Sequence, residues 1–281
     1  MNVRFWGTRG SLPTPGADTL RYGGNTSCVQ VTGEQGTVLV LDAGTGIREL
    51  GRSLPPGLRR VDVLMSHLHM DHIQGLGFFS ALYNPDMEVH LWGPASITHD
   101  LKTRLKRYLS PPFFPVHLRD LPCKLVIHDG SHIDEEIGEF RVSSLMICHP
   151  GPTVGFRISN SKGTMAYMPD HEPILGSPKF LPQREWISGM ATAQGVDLLI
   201  HDAQYSSNEY LTRIGWGHSS IAQAIEFASI AEVGKLAAFH HDPTHRDNDL
   251  DRMFQEVIAD TSPRFSVIPA MEGELMTVAG H

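Results

Sequence analysis

Four side chains of the kind that bind metal ions lie within six residues of the chain: His67, His69, Asp71 and His72. They directly follow an apolar segment at residues 61–65 that is predicted to be a strand. His67 and His69 are two positions apart, so their side chains project to the same side of an extended chain. Imidazole and carboxylate groups are ligands of Zn²⁺ and Mn²⁺. The spacing therefore predicts a metal site where this strand ends, whereas a single histidine would more often be structural.

The elements that must position these side chains are mostly short strands, rich in β-branched residues and bounded by Gly, Pro, Asn or Asp. Helical spacing of apolar residues predicts helices at 95–109, 220–233 and 249–258, the second with Ser219 as N-cap and Gly234 after its end. Two sheets packed face to face, with helices outside, would bury these elements in one domain over residues 1–281. The predicted strands are residues 3–6, 28–31, 38–41, 61–65, 89–92, 124–127, 140–146, 154–158, 164–167, 198–201, 236–239 and 265–268.

The composition excludes several classes of protein. Among 281 residues, 41% are hydrophobic and 19% are charged, which argues against disorder and against a coiled coil. The three cysteines form no CxxC pair, which argues against a disulfide framework or a cysteine zinc site and for a reducing, cytoplasmic compartment. A net charge of −8 argues against a general nucleic-acid coat. No apolar run of about 18 residues predicts a membrane span, and the start lacks the features of a signal peptide.

The HxHxDH pattern after a hydrophobic strand resembles the metallo-β-lactamase superfamily. The resemblance implies an α/β fold, a four-layer αββα sandwich with a two-metal site along one edge of its sheets. The turn Leu41-Asp42-Ala43-Gly44 resembles the family's early aspartate–glycine turn, in which Asp42 would support the site rather than bind metal. The oxygen-reducing di-iron members carry glutamate where this chain has His69, so the resemblance implies hydrolysis rather than redox chemistry.

The same resemblance implies further metal ligands on three later turns, each of which follows a predicted strand. Cys148-His149-Pro150-Gly151 resembles the turn with the third ligand of the first metal, and Met168-Pro169-Asp170-His171 resembles the position of the bridging carboxylate. Phe239-His240-His241-Asp242-Pro243 resembles the strand end with the last ligand, which would be His240, with His241 as the alternative. The implied cofactors are two divalent metal ions per chain, Zn²⁺ or Mn²⁺. The first ion would be held by His67, His69 and His149, the second by Asp71, His72 and His240, and Asp170 would lie between them.

Segments at 7–14 with 21–27, at 200–205 and at 216–220 resemble the ribonuclease Z branch of the superfamily. In the second of these, Asp202 and Gln204 replace the glutamate and threonine of the branch. Ribonuclease Z carries a long arm for tRNA between the third ligand and the bridging aspartate. Here His149 and Asp170 are only 21 positions apart, and two predicted strands fill the interval. The chain therefore resembles armless relatives that hydrolyse cyclic nucleotides and small phosphodiesters.

The resulting hypothesis is hydrolysis of a small or cyclic phosphodiester. Two metal ions would bind a bridging water and lower its pKa, and Asp71 would also act as general base. His218, hydrogen-bonded to Asp202, would donate a proton to the leaving oxygen. One alternative is a carbon-ester hydrolase that acts on a lactone, thioester or β-lactam at the same metals. Another is a non-catalytic metal protein, but structural zinc sites close with four protein ligands and seven are implied here.

The expected partner is a small-molecule phosphodiester rather than a macromolecule. Without an arm, and with a net charge of −8, the chain is not expected to bind folded tRNA with high affinity. Remote relatives dimerise, and the resemblance therefore implies a homodimer. No membrane partner is expected.

Overall fold

The computed structural model describes residues 1–175, 180 and 183–280. Its strands, numbered along the chain, form two seven-stranded sheets. The first sheet contains β1 (Asn2–Gly7), β2 (Cys28–Thr32), β3 (Val38–Leu41), β4 (Arg60–Leu64), β5 (Glu88–Gly93), β6 (Lys124–Asp129) and β14 (Leu275–Thr277), in the order β14-β1-β2-β3-β4-β5-β6. The second contains β7 (Asp134–Ile137), β8 (Phe140–Met146), β9 (Val154–Asn160), β10 (Gly163–Met168), β11 (Leu198–Asp202), β12 (Lys235–Phe239) and β13 (Ser266–Pro269), in the order β13-β12-β11-β10-β9-β8-β7.

The two sheets pack face to face, and helices cover both outer faces. Alternation along β3 shows the layering, because Leu39 and Leu41 enter the core between the sheets while Val38 and Val40 pack under the helices of the first sheet. A third apolar cluster lies between the second sheet and its helices. The αββα sandwich is thus confirmed. The helices are α1 (Ile47–Ser53), α2 (Met70–Ile73), α3 (Leu101–Tyr108), α4 (Met190–Ala193), α5 (Ser207–Tyr210), α6 (Ile221–Ile230) and α7 (Asp247–Thr261).

Parallel pairing brings the functional turns to one edge of the sandwich. In the first sheet, β3, β4, β5 and β6 are parallel neighbours, and in the second, β10, β11, β12 and β13 are. The carboxyl ends of parallel strands meet at one edge, which is where ligands bind in open α/β sheets. The turns after β3, β4, β10, β11 and β12 therefore lie close together.

The three predicted helices exist, but each has other bounds. The helix expected at 95–109 begins at Leu101, because the side chain of Asp100 caps it by accepting from Thr103 N at 2.6 Å. The helix expected at 220–233 is capped by Ser220 rather than by Ser219, and it ends at Ile230, short of Gly234.

The third predicted helix, at 249–258, extends over Asp247–Thr261. Strands β7 and β14 and the helices α1, α2, α4 and α5 were not predicted. Among the described residues, no helix has both the length and the apolar character needed to cross a membrane.

The segment between His149 and Asp170 is a hairpin, as predicted. Strands β9 and β10 pair antiparallel, with Asn160 opposite Gly163 across a tight turn. The connection contains no further insertion, so an arm of the ribonuclease Z kind is absent from this interval.

Candidate metal centre

The structure brings the predicted ligands together in two clusters at the carboxyl edge of the strands. In the first, one ligand atom from each of His67, His69, His149 and Asp170 lies within 4.8 Å of every other. Nδ1 of His69 and Nε2 of His149 are 3.1 Å apart, and Oδ2 of Asp170 lies 3.7 Å from Nε2 of both His67 and His149. His69 is exposed, so this cluster opens to solvent.

The second cluster contains Asp71, His72, His240 and again Asp170. Nε2 of His72 lies 3.0 Å from Oδ1 of Asp170, 3.3 Å from Oδ2 of Asp71 and 3.3 Å from Nε2 of His240. Asp170 therefore faces one cluster with each carboxylate oxygen, which is the arrangement of a bridging ligand.

The spacing of these ligand atoms suits coordination of metal ions better than direct contacts between the side chains. Ligands about 2.1 Å from a tetrahedral zinc ion lie roughly 3.4 Å apart, close to the separations in both clusters. Nε2 of His67 and Oδ1 of Asp170 are buried without a hydrogen-bond partner among the described residues. Buried polar atoms are nearly always paired, so unpaired atoms at a convergence of ligand atoms fit the binding of a cation. The clusters are consistent with a dinuclear metal site.

Asp42 lies behind the second cluster and orients it. Its carboxylate accepts from Ser66 N at 2.7 Å, and from Ser66 Oγ, His72 Nδ1 and Tyr167 Oη at 2.8 Å each. The bond to Nδ1 of His72 turns Nε2 toward the centre, as carboxylate partners of ligand histidines do. Asp42 has the left-handed φ of 60°, a strained conformation that such a dense set of bonds can hold. It contacts His72 rather than the space between the clusters.

Most of these pKa shifts suit metal ligands, which must be deprotonated. His72 is the exception, because Asp170, Asp71 and Asp42 outweigh its burial and raise its pKa, so a metal ion there would displace a proton. Burial lowers the pKa of His67 and His69, and lowers that of His149 to about 4. Burial alone would raise the pKa of Asp71 and Asp170, but the neighbouring histidines, His72 and His240 among them, outweigh it and hold both carboxyl pKa values well below the usual range.

Of the two adjacent candidates for the last ligand, the structure favours His240. Its Nε2 lies 3.1 Å from Oδ2 of Asp71. The Nε2 of His241 instead donates to Ala270 O at 2.9 Å, and its ring packs on Tyr22, outside the clusters. His240 has a left-handed φ of 62°, which turns consecutive side chains in different directions at this point.

Gly10 packs against the ring of His240, and we expect its replacement by alanine to disturb the second cluster. A Cβ atom at position 10 would overlap Cε1 and Nδ1 of that ring. Gly10→Ala should therefore lower metal affinity and activity roughly 10- to 100-fold, the range for changes behind a metal ligand. Metal titration followed by calorimetry measures the affinity. Gly16→Ala is the matched control, because the nearest atom to its Cβ is Thr19 Oγ1 at 3.8 Å. Unchanged metal affinity in Gly10→Ala would contradict this reading of the packing.

Asp202 and His218 form a hydrogen-bonded pair beside the clusters. Nδ1 of His218 lies 2.6 Å from Oδ2 of Asp202 and 3.9 Å from Oδ2 of Asp170. The His218 ring stacks on His240 at 5.0 Å and meets the edge of His149 at 5.1 Å. It thus lies between the clusters rather than beside the second metal position alone. Burial opposes protonation of His218, but Asp202 outweighs it and raises the pKa to about 9.

Several residues that contact the site, Ser11 and Tyr167 among them, were not predicted from the sequence. Ser11 donates its backbone N–H to Oδ2 of Asp71 at 2.7 Å, and Tyr167 is a buried partner of Asp42. Ser11 lies in a segment noted only for its resemblance, and an aromatic residue in a strand usually indicates core packing. Neither residue belongs to a sequence pattern that predicts a functional role.

The αββα sandwich and the His/Asp clusters at its strand ends define a metal-dependent hydrolase. Residues 37–241 match the family model described as "Beta-lactamase superfamily domain", and the chain belongs to the metallo-β-lactamase superfamily. Its Thermococcus onnurineus relative, named ribonuclease Z, is 23% identical over 285 residues, which cover 85% of this chain and 84% of the relative.

Two solved structures are similar over nearly their whole length. The metallo-β-lactamase fold protein YhfI from Bacillus subtilis has a TM-score of 0.70 and 19% identity, covering 98% of both chains. A diphosphatase from the PhnP family has a TM-score of 0.69 and 17% identity, covering 100% of this chain and 99% of that one. Identities this low show the shared fold and leave the reaction to be argued from the site.

Proposed function

We propose that the protein is a metal-dependent phosphodiesterase that acts on small or cyclic phosphodiesters. The observation that carries the proposal is the Asp202–His218 pair, which directs an imidazole toward the space between the two ligand clusters. A phosphodiester has an alkoxide leaving group that needs a proton, and an imidazole held by a carboxylate supplies one.

His67, His69 and His149 would hold one divalent cation, Asp71, His72 and His240 the other, and Asp170 would contact both. Two such cations supply charge neutralisation at the phosphoryl oxygens and a water of lowered pKa. Zn²⁺ and Mn²⁺ both suit this donor set of imidazoles and carboxylates.

Asp71 would accept the proton of the attacking water. Its Oδ2 already accepts from Ser11 N and lies 3.1 Å from Nε2 of His240. These contacts fix the plane of the carboxylate, so its second oxygen, Oδ1, has a defined direction from which to orient the water.

His218 would act on the opposite side of the scissile bond. Because Nδ1 is bonded to Asp202, the ring is fixed in one orientation and Nε2 is the ring nitrogen left to donate to the substrate. Asp202 itself is held by Ser219 N and Gln204 N, both at 3.1 Å, so the donor is pre-oriented rather than mobile. The names of the similar proteins, ribonuclease Z and a diphosphatase, also favour phosphorus chemistry.

A substrate panel tests the proposal. Purified protein loaded with Mn²⁺ or with Zn²⁺ is assayed on bis-p-nitrophenyl phosphate, a nucleoside 2′,3′-cyclic monophosphate, p-nitrophenyl acetate, a lactone and nitrocefin. We expect turnover of the two phosphodiesters. Hydrolysis of the lactone, the acetate or nitrocefin without any diesterase activity would overturn the proposal in favour of a carbon-ester hydrolase.

Folded tRNA should be a poor ligand at physiological salt. The interval between His149 and Asp170 is the β9–β10 hairpin, and a net charge of −8 provides no excess of cations to displace the counterions of RNA. Electrophoretic mobility shift with a precursor tRNA should give no complex at nanomolar protein that is fully active on small diesters. Robust 3′-processing of that precursor at nanomolar enzyme would contradict this expectation.

A further inference from the structure

Glu172 is a buried carboxylate that belongs to neither ligand cluster. Its Oε1 accepts from Tyr210 Oη at 2.9 Å and from Gly215 N at 3.0 Å, and its Oε2 accepts from Gly217 N at 2.9 Å. The two glycine amides belong to the turn Gly215-Trp216-Gly217, directly before His218. One carboxylate therefore fixes the backbone path that leads to this imidazole.

The same turn holds a predicted metal ligand. Nδ1 of His149 donates to Gly217 O at 2.8 Å, which leaves Nε2 as its ligand atom. The backbone N–H of Glu172 donates at 2.9 Å to the carbonyl of the residue before His149. Glu172 also follows Asp170 by two positions. It therefore connects the segments of His149 and Asp170 to the segment of His218.

The turn Gly215-Trp216-Gly217 needs the hydrogen bonds from outside that Glu172 provides. Gly215 and Gly217 both have a left-handed φ of 88°, and glycine loses more backbone freedom on ordering than any other residue. Trp216, between them, is 59% exposed, so burial of its side chain does little to hold the turn. The bonds to Glu172, together with the bond from His149 to Gly217 O, hold the turn in place of such packing.

We propose that Glu172 is a positioning residue for proton donation by His218, a role that rests on the proposed phosphodiesterase function. In Glu172→Gln, an NH₂ group replaces one of the two accepting oxygens and faces a donor, so the turn loses part of its anchor. His218 keeps its bond to Asp202 but moves relative to the leaving oxygen. A nitrophenolate leaves without a proton and an alkoxide does not, so the loss should depend on the leaving group.

The test compares two diesters with metal in excess. Glu172→Gln should lower kcat on a nucleoside 2′,3′-cyclic monophosphate about 10- to 100-fold and lower it less on bis-p-nitrophenyl phosphate, with KM little changed. Glu172→Asp keeps the carboxylate and should recover part of the loss; it also keeps the proposal testable if the glutamine variant fails to fold. Exposed Glu185 supplies the control Glu185→Gln.

The outcomes separate three cases. Equal losses on both diesters, or a loss that follows bound metal measured by elemental analysis, would mean that Glu172 only supports the fold and would overturn the proposal. Unchanged kcat on both diesters would overturn it as well. A wild-type protein that hydrolyses neither diester would overturn the proposed function itself, and with it the role of Glu172.

Discussion

Replacing His67 with alanine should remove metal from the first cluster and lower diesterase kcat by at least about 10³-fold. Its Nε2 is buried, unpaired among the described residues and 3.7 Å from the shared Asp170, so no other group takes its place. Ser66 Oγ, 3.0 Å from its Nδ1, already fixes the ring. Elemental analysis and steady-state kinetics on the same preparation measure the two effects together.

The matched control for this variant is His99→Ala, which removes an exposed imidazole whose partner is Arg107. It should keep wild-type metal content and activity. A His67→Ala protein that retains both metals and full turnover would exclude the first cluster as a metal site.

Replacing His218 with alanine should leave metal content intact and lower diester turnover roughly 10²- to 10⁴-fold, the span for a general acid. The ring stacks on His240 and meets His149, yet its Nδ1 is bonded to Asp202, so we expect its removal to delete the proposed proton donor and to leave the predicted ligands in place. Asp202→Ala should cost less in the same assay, because the imidazole remains. Kinetics on a cyclic nucleotide, paired with elemental analysis, check both variants.

Unchanged activity in His218→Ala would assign this residue a structural role. Full diesterase activity in His218→Ala with both metals bound would show that the pair with Asp202 only braces the start of α6. A carbon-ester substrate would then become the better hypothesis, because an ester at the same metals needs less assistance to its leaving group.

The sequence predicted most strands because their pattern is local, whereas the ligands after β8, β10 and β12 were predicted from the resemblance to the metallo-β-lactamase superfamily. β-branched runs bounded by turn residues mark strands, and side chains directly after parallel strands must share one edge. Strands β7 and β14 escaped prediction because β7 is charged and β14 has three residues. β14 also pairs with β1 at the other end of the chain, whereas β7 pairs with the adjacent β8 in a hairpin.

Contacts between distant segments also explain why the predicted N-cap of α6, Ser219, was wrong. Ser219 and Ser220 are equally good N-caps by residue type. The Ser219 hydroxyl instead donates to His171 O at 2.6 Å, and Ser220 forms the capping box with Gln223. The role of Glu172 was invisible for the same reason, because its partners lie some 40 residues away and only the fold brings them together.

The most direct test of a dinuclear phosphodiesterase is a metal titration of metal-free protein, with hydrolysis of bis-p-nitrophenyl phosphate measured at each addition of Zn²⁺ or Mn²⁺. Two clusters that share Asp170 predict that activity rises until about two equivalents per chain are bound and then levels off. Full diesterase activity in protein that holds no more than trace metal would contradict the account.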